Sequence, residues 1–290
     1  MFNGKLMNME DSISKEKVNY LKTKANQIRN SVLDMCVKAG TGHVTSAFSC
    51  TELLVALYHG GILRYDISNP KKKDRDRFIL SKGQGSAILY PILADVGFFP
   101  KEKLNEFCQK DGMFGVHLQH DVPGAEITSG SLGHGFGIAA GMALAAKMNN
   151  EQYFVFTLLG DGECHEGSIW ETAMFASHHR LNNLIAIVDR NWLCATDFVE
   201  NSVSLNPLDQ KWISFGWDVV NINGHSFEEI FVALHGFRSN KRNKPLMIIA
   251  DTVKGKGISF MENQILWHGT APQGQEAKQA KRELNTEGCD

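Results

Sequence analysis

The chain has 290 residues, of which 43% are hydrophobic and 21% charged, and its formal net charge is −2. This composition is typical of a globular protein of one or two domains. The small net charge excludes a global field that would attract nucleic acid or an acidic membrane surface, and no apolar run approaches the ~20 residues that span a bilayer. The polar first residues are not a signal peptide. Six scattered cysteines without a C-x-x-C pair favour a reducing, cytoplasmic location.

The predicted elements begin with a helix over 14–38, where apolar residues recur at helical spacing, and a short helix over 50–58. Short apolar runs bounded by Gly, Asn or Pro predict five buried strands, RFIL (77–80), YFVFTLLG (153–160), LIAIVD (184–189), WDVVNI (217–222) and PLMIIAD (245–251). Helical segments separate most of them, at 134–148, 166–180, 205–214 and 226–238. The alternation predicts an α/β fold with a mostly parallel sheet covered by helices on both faces.

A loop rich in glycine follows the second predicted strand, with the sequence LGDGECHEG (159–167). Ligands of parallel sheets bind beyond the carboxyl ends of the strands, and amides at the start of the next helix favour phosphate oxygens. Asp161 would repel a phosphate unless a cation lay between them, and Mg²⁺ accepts carboxylate, amide and carbonyl oxygens together. Asn191 and the Leu193 carbonyl, after the next strand, offer such oxygens. The loop therefore predicts a metal–diphosphate site, although G-D-G alone is equally compatible with a simple turn.

The spacing of this loop carries a family resemblance. Gly162 and Asn191 are separated by 28 residues that contain a predicted helix and strand, which resembles the thiamine-diphosphate fingerprint. Further segments, from about residue 20 to 275, resemble the N-terminal, diphosphate-binding part of transketolases in the same order: DRFILSKG (76–83), ITSGSLGHGFGIAAGMALAAK (127–147), LNNLIAIVDRN (181–191), FGWDVV (215–220), VKGKGISFMEN (253–263) and WHG (267–269).

The resemblance implies a three-layer αβα sandwich, the diphosphate domain of the thiamine-diphosphate-binding fold. We expect one such domain over 1–290, with peripheral tails at about 1–15 and 276–290. The implied cofactors are thiamine diphosphate and Mg²⁺, with Ca²⁺ or Mn²⁺ as substitutes. The implied metal ligands are Asp161, Asn191 and the Leu193 carbonyl. Residues expected to contact the cofactor are Gly130, Leu132, His134, Gly162, Asn191 and His268. Residues expected to take part in catalysis are His43, Gln84, His117, Glu166 and His268.

The function implied by the resemblance is ketol transfer. A two-carbon unit moves from a ketose-type donor to an aldehyde acceptor, carried as a carbanion–enamine of thiamine diphosphate, and the substrates are sugars or sugar phosphates. The family's full chains also carry a pyrimidine-binding domain and a C-terminal domain. We therefore expect this chain to be the N-terminal component of a split transketolase. It would be active only with a second, C-terminal component in an A2B2 heterotetramer, where Glu166 couples two active sites.

Three departures from the family pattern bear on the substrate. Gln84 replaces a histidine, and glutamine can hydrogen-bond but cannot shuttle a proton. His134 replaces a glutamine in the segment GHG (133–135), and the loop 195–197 differs from the usual sequence. We expect cofactor binding to survive and substrate choice to differ from that of the housekeeping enzyme.

Two other functions share the cofactor fold. One is a ligase that decarboxylates a 2-oxo acid and joins the fragment to an aldehyde, which would release carbon dioxide from pyruvate. The other is a regulatory paralogue without turnover. A Rossmann dehydrogenase is disfavoured because no G-x-G-x-x-G follows a first strand.

Overall fold

The computed structural model describes residues 13–234, 236–238 and 242–286. Residues 1–12 of the predicted N-terminal tail and residues 287–290 of the predicted C-terminal tail lie outside these described residues. Position 235 of the predicted helix 226–238 also lies outside them.

Five strands form one sheet in the described residues, and every neighbouring pair is parallel. Their bounds are β1 Arg77–Leu80, β2 Val155–Gly160, β3 Leu184–Arg190, β4 Asp218–Asn223 and β5 Leu246–Asp251. The order across the sheet is β1-β2-β3-β5-β4. All five strands were predicted, and the α/β fold with a parallel sheet is confirmed.

Helices cover both faces of the sheet. The described residues contain α1 Lys15–Ala39, α2 Val44–Ser49, α3 Thr51–Tyr58, α4 Ser86–Val96, α5 His134–Met148, α6 Gly167–His178, α7 Val199–Ser202, α8 Leu208–Ser214, α9 Phe227–Leu234 and α10 Gly274–Thr286. Side chains of β2 alternate between two apolar cores. Phe156 and Leu158 belong to the core that includes α1 to α4, α9 and α10. Val155 and Leu159 belong to the core that includes α5 to α8.

Local signals explain the predicted first helix. Ser14 precedes α1, and its hydroxyl accepts a hydrogen bond from the Lys17 amide at 3.2 Å, which satisfies one of the free N–H groups at a helix start. Gly40 ends the helix with a left-handed φ of 71°, a conformation that glycine adopts without strain.

Four helices, α2, α4, α7 and α10, differ from the sequence-based expectation, and α7 has only four residues. Helices α2 and α4 were not predicted because they are buried on almost all sides, so they show no amphipathic period. Helix α10 occupies most of the segment expected to be a C-terminal tail. It packs on α1, where the Asn26 amide donates to the Leu284 carbonyl at 2.7 Å and Lys281 pairs with Asp34. In the described parts of the chain, no helix is long and apolar enough to cross a membrane.

Candidate active site

A cavity of about 460 Å³ lies beyond the carboxyl ends of the strands, where parallel sheets bind their ligands. Strand register explains this location, because Gly160 at the end of β2 lies opposite Asp189 near the end of β3. The loops that follow these strands therefore face the same space. Of the residues singled out from the sequence, those that line the cavity are His43, Gln84, His117, Gly130, Leu132, Asp161, Gly162, Glu166, Asn191, Leu193 and His268.

His134 is not among the residues that line this cavity, and its contact with the cofactor stays a prediction. Gly133 has a left-handed φ of 81°, after which His134 begins α5 as an exposed residue. Its Nδ1 atom lies 3.1 Å from the Leu132 carbonyl. The ring therefore lies against the loop that contains the cavity residue Leu132.

The Asp161 carboxylate is a buried part of the cavity lining, and its hydrogen bonds in the described residues come from backbone amides. Oδ1 accepts a hydrogen bond from the Gly162 amide at 2.8 Å, and Oδ2 accepts one from the Trp192 amide. Burial, together with repulsion from Asp189, raises the pKa of Asp161 to about 7. Two amide donors thus leave this carboxylate short of positive charge, as a cation site would require.

The loop after β3 brings further oxygens to this part of the cavity. Trp192 adopts a left-handed φ of 67°, and the Arg190 guanidinium lies 3.8 Å from its ring centroid. The next amide, that of Leu193, donates to Oδ1 of Asn191 at 3.2 Å. In the described residues no group of three or more His, Cys, Asp or Glu is placed to hold a metal. An ion bound here would thus need the neutral Asn191 and Leu193 oxygens, a donor set that fits Mg²⁺ together with a diphosphate.

Lys254 is a cavity residue to which the sequence analysis gave no role. It is almost fully buried, and its Nζ atom donates to the Leu193 carbonyl at 3.3 Å, the Cys194 carbonyl at 3.2 Å and Nδ1 of His268 at 2.9 Å. Burial and the nearby Lys82 ammonium lower its pKa to about 8. The sequence does contain a signal that could have identified Lys254. It lies in a glycine-rich loop directly after a buried strand, and such a loop faces the ligand side of the sheet.

Three histidines lie next to one another in the lining of the cavity. The ring centroid of His43 lies 5.6 Å from that of His117 and 5.4 Å from that of His268. Burial lowers the pKa of His43 to about 4, with a further contribution from His117, and burial followed by Lys254 lowers the pKa of His268 to about 4. Both rings are therefore neutral at physiological pH and able to accept a proton or share one with a substrate hydroxyl.

Glu163 is a second residue that the sequence analysis left without a role. Oε1 of its buried carboxylate accepts hydrogen bonds from the Ser81 hydroxyl at 2.5 Å and the Gly133 amide at 2.9 Å, and Oε2 accepts one from the Gly160 amide at 3.0 Å. It therefore joins the loop before α5, the end of β2 and the segment after β1. No periodicity signals such a role, because its partners are distant in sequence.

The fold is a parallel α/β sheet, and at the carboxyl ends of its strands a cavity holds a buried carboxylate, a buried lysine and neutral histidines. A sequence model of the family described as "Transketolase, thiamine diphosphate binding domain" matches residues 21–289. The chain therefore belongs to the transketolase family, and its domain is the one that binds thiamine diphosphate. The predictions of the family and of thiamine diphosphate as its cofactor are confirmed, and Mg²⁺ stays a prediction.

Individual relatives agree with this membership. The chain is 38% identical over 271 residues to the A subunit of the apulose-4-phosphate transketolase of Phocaeicola vulgatus, covering 93% of this chain and 95% of that protein. It is 40% identical over 270 residues to the 6-deoxy-6-sulfo-D-fructose transketolase subunit SqwG of Clostridium sp. strain MSTE9, covering 93% and 98%. The crystal structure of Campylobacter jejuni transketolase superposes with a TM-score of 0.84 at 30% identity. It is matched over 96% of this chain, which spans 43% of that longer one.

Proposed function

We propose that this chain is the N-terminal, diphosphate-binding component of a two-component transketolase. The observation that carries the proposal is the layout of a single cavity. A buried carboxylate with a raised pKa, Asp161, lines the same cavity as the neutral histidines His43 and His268. Such an arrangement suits a metal-bound diphosphate held next to a place where hydroxyl protons are transferred.

The residues present fit the cofactor. Asp161, Asn191 and the Leu193 carbonyl would hold Mg²⁺, and Gly162 and Lys254 would lie beside the diphosphate, where the positive charge of Lys254 would attract it. When bound, thiamine diphosphate supplies the nucleophilic carbon that takes up the two-carbon unit and releases it to the acceptor. Lys254 donates to Nδ1 of His268, so Nε2 of that ring carries the hydrogen and can donate it to a substrate oxygen. His43, whose buried Nδ1 has no hydrogen-bond partner in the described part of the chain, provides a second neutral imidazole for hydroxyl protons.

The need for a partner is supported by the rim of the cavity. Leu266, two residues before His268, is 88% exposed, and Val203, next to the lining residue Ser202, is 63% exposed. Large apolar side chains at the opening of a polar cavity favour coverage by another protein surface. The relative from Phocaeicola vulgatus is named as one component of a transketolase and matches nearly the full length of this chain, which favours the same division of the enzyme. We propose that the partner carries the pyrimidine-binding and C-terminal domains.

An A2B2 assembly is supported by the exposed apolar surface of α5 and α6 near Glu166. This residue is exposed, lines the cavity and precedes α6. Beyond it, Ile138 on α5 and Met174 and Phe175 on α6 are exposed apolar residues. We propose that this face meets a second copy of the chain, which would bring two Glu166 carboxylates to one interface.

The test uses the full chain and the product of the neighbouring gene that resembles the remaining transketolase domains. The mixture is expected to transfer a ketol unit to an aldehyde acceptor, with apulose 4-phosphate, 6-deoxy-6-sulfofructose, xylulose 5-phosphate and fructose 6-phosphate as the donor panel. The isolated chain is expected to show no turnover. Full turnover by the chain alone would overturn the two-component proposal, and carbon dioxide release from pyruvate would favour the decarboxylating alternative.

A further inference from the structure

Asp189 is a fully buried carboxylate that does not line the cavity but joins the segments around it. Oδ2 accepts hydrogen bonds from the Ser49 hydroxyl at 2.7 Å, from the Lys82 ammonium and from Nδ2 of Asn191 at 3.2 Å. Oδ1 accepts one from the Thr252 hydroxyl. These donors come from α2 and from the segments that follow β1, β3 and β5. One side chain therefore holds four parts of the site in register.

The bond to Asn191 sets the orientation of an amide. The oxygen and the NH2 group of a carboxamide have nearly the same shape, so packing alone does not determine which one faces the cavity. A carboxylate only accepts hydrogen bonds. Asp189 therefore requires the NH2 group of Asn191 on its side, which leaves Oδ1 on the side of the Leu193 amide. A reversed amide would place N–H donors, which repel a cation, at the proposed metal site.

The Lys82 ammonium makes this arrangement compatible with a buried core. Both members of the Lys82–Asp189 pair have fully buried side chains, and a buried carboxylate needs a counter-charge. Lys82 also donates to the Ser46 carbonyl at 3.0 Å, in the same helix that follows His43. The pair thus connects Asn191 to the helix that follows His43 without lining the cavity with either carboxylate oxygen.

We propose that Asp189 is a positioning residue, which orients the Asn191 amide so that its oxygen faces the divalent cation. This inference rests on the proposed function, because it assumes that Asn191 is a metal ligand. According to this proposal, Asp189, which is not itself a metal ligand, determines whether the site binds a cation or repels it.

The test measures Mn²⁺ binding to the full chain in the presence of thiamine diphosphate by electron paramagnetic resonance. The main variant is K82M/D189L, which removes both buried charges together and so leaves no unpaired ion in the core. Its affinity for Mn²⁺ is expected to fall by about tenfold or more, the usual effect of losing a residue that orients a metal ligand. T252V is the matched control, because it removes a different donor to Asp189, and its affinity is expected to stay within about threefold of wild type.

A rescue distinguishes orientation from general structural support. Asp at position 191 presents an oxygen whichever way the side chain turns, so K82M/D189L/N191D is expected to recover Mn²⁺ affinity. D189N, which keeps the shape of the side chain, is measured in parallel with D189N/N191D in case the apolar variant does not fold. Wild-type affinity in a folded D189 variant, or no recovery with N191D, would overturn the inference. Absence of Mn²⁺ binding in the wild-type chain would instead count against the proposed function.

Discussion

The ammonium of Lys254 lies 2.9 Å from Nδ1 of His268, and it also donates to the backbone carbonyls of Leu193 and Cys194. An ammonium has no acceptor capacity, so it must be the donor in each of these bonds. One lysine thus sets the tautomer of a histidine and lies against the loop that is proposed to bind the metal. It therefore links the proposed metal loop to a histidine that is proposed to handle substrate protons.

Replacing this lysine by methionine tests both roles. In K254M the pKa of His268 is expected to rise from about 4, because the repulsion from the ammonium disappears while burial still holds the pKa below its ordinary value. Thiamine diphosphate affinity is expected to fall about 10- to 150-fold, since a hydrogen bond to a charged group is worth about 1.5–3 kcal/mol. Titration of the His268 ring by NMR, with H268Q to assign the signal, and calorimetry provide the measurements. An unchanged His268 pKa would show that the ammonium does not influence the ring.

Metal affinity is expected to depend on pH through Asp161. A proton and a cation compete for this carboxylate, so affinity for Mg²⁺ with thiamine diphosphate should fall about tenfold for each pH unit below the Asp161 pKa and level off above it. That pKa is raised to about 7. Calorimetry across the pH range measures the slope, and a flat profile below neutral pH would contradict the assignment.

The same raised pKa makes a prediction about stability without metal. The native chain holds the Asp161 proton more tightly than the unfolded chain does, so this group's contribution to stability decreases as pH rises from its ordinary pKa of 3.8 to about 7. D161N removes the titration. The metal-free variant is therefore expected to be more stable than wild type above pH 7, with the difference shrinking as the pH falls. Urea unfolding at several pH values gives the comparison, and a constant difference would exclude this explanation.

Restoring the family's histidine at position 84 is expected to change donor preference and to leave cofactor binding intact. Gln84 lines the cavity but belongs to a turn separate from Asp161 and Asn191. In the assembled enzyme, Q84H should change the ratio of kcat/KM values between phosphorylated and sulfonated donors, and Q84N serves as the control that adds no titratable group. If Q84H changes the kcat/KM values of all donors by the same factor, position 84 does not select among them.

Cys194 offers a chemical probe of the cofactor site. Among the described cysteines it is the one that lines the cavity, and its sulfur lies 4.0 Å from Nδ1 of His165. A maleimide adduct would extend beside Gly162, where a Cβ atom would already lie 3.0 Å from this sulfur. Alkylation is expected to abolish cofactor binding, and Mg²⁺ with thiamine diphosphate should protect the thiol. C194S should resist inactivation; if it is inactivated as fast as wild type, another residue is responsible.

Helix α10 is expected to contribute stability but no cofactor affinity. Leu284 is fully buried, so L284A should lower the free energy of unfolding by about 2–5 kcal/mol. K281A, which removes only an exposed pair with Asp34, should cost no more than about 1 kcal/mol. Urea unfolding measures both variants, and calorimetry with thiamine diphosphate provides the control. A large loss of cofactor affinity in folded L284A would show that α10 supports the site as well.

Prediction from the sequence succeeded where adjacent residues indicate the environment of a side chain. The strands β2 and β3 are continuous apolar runs because both of their faces are buried, and Asp161 and Asn191 follow such runs directly. Helix α4 was missed for the opposite reason, since a helix buried on all sides has no polar face to reveal its period.

The amino-acid sequence by itself determined the parallel sheet and the family. It also indicated Asp161, Asn191 and the histidines that line the cavity, since these features depend on apolar runs, glycine turns and short spacings. Only the tertiary structure decided which charged groups support them. Lys82 and Asp189 are 107 residues apart, and Lys254 meets the Leu193 carbonyl across a separation of 61 residues. A charged residue at the end of a strand carries no local signal of its partner, because the counter-charge that permits its burial arrives from another strand only when the sheet has formed.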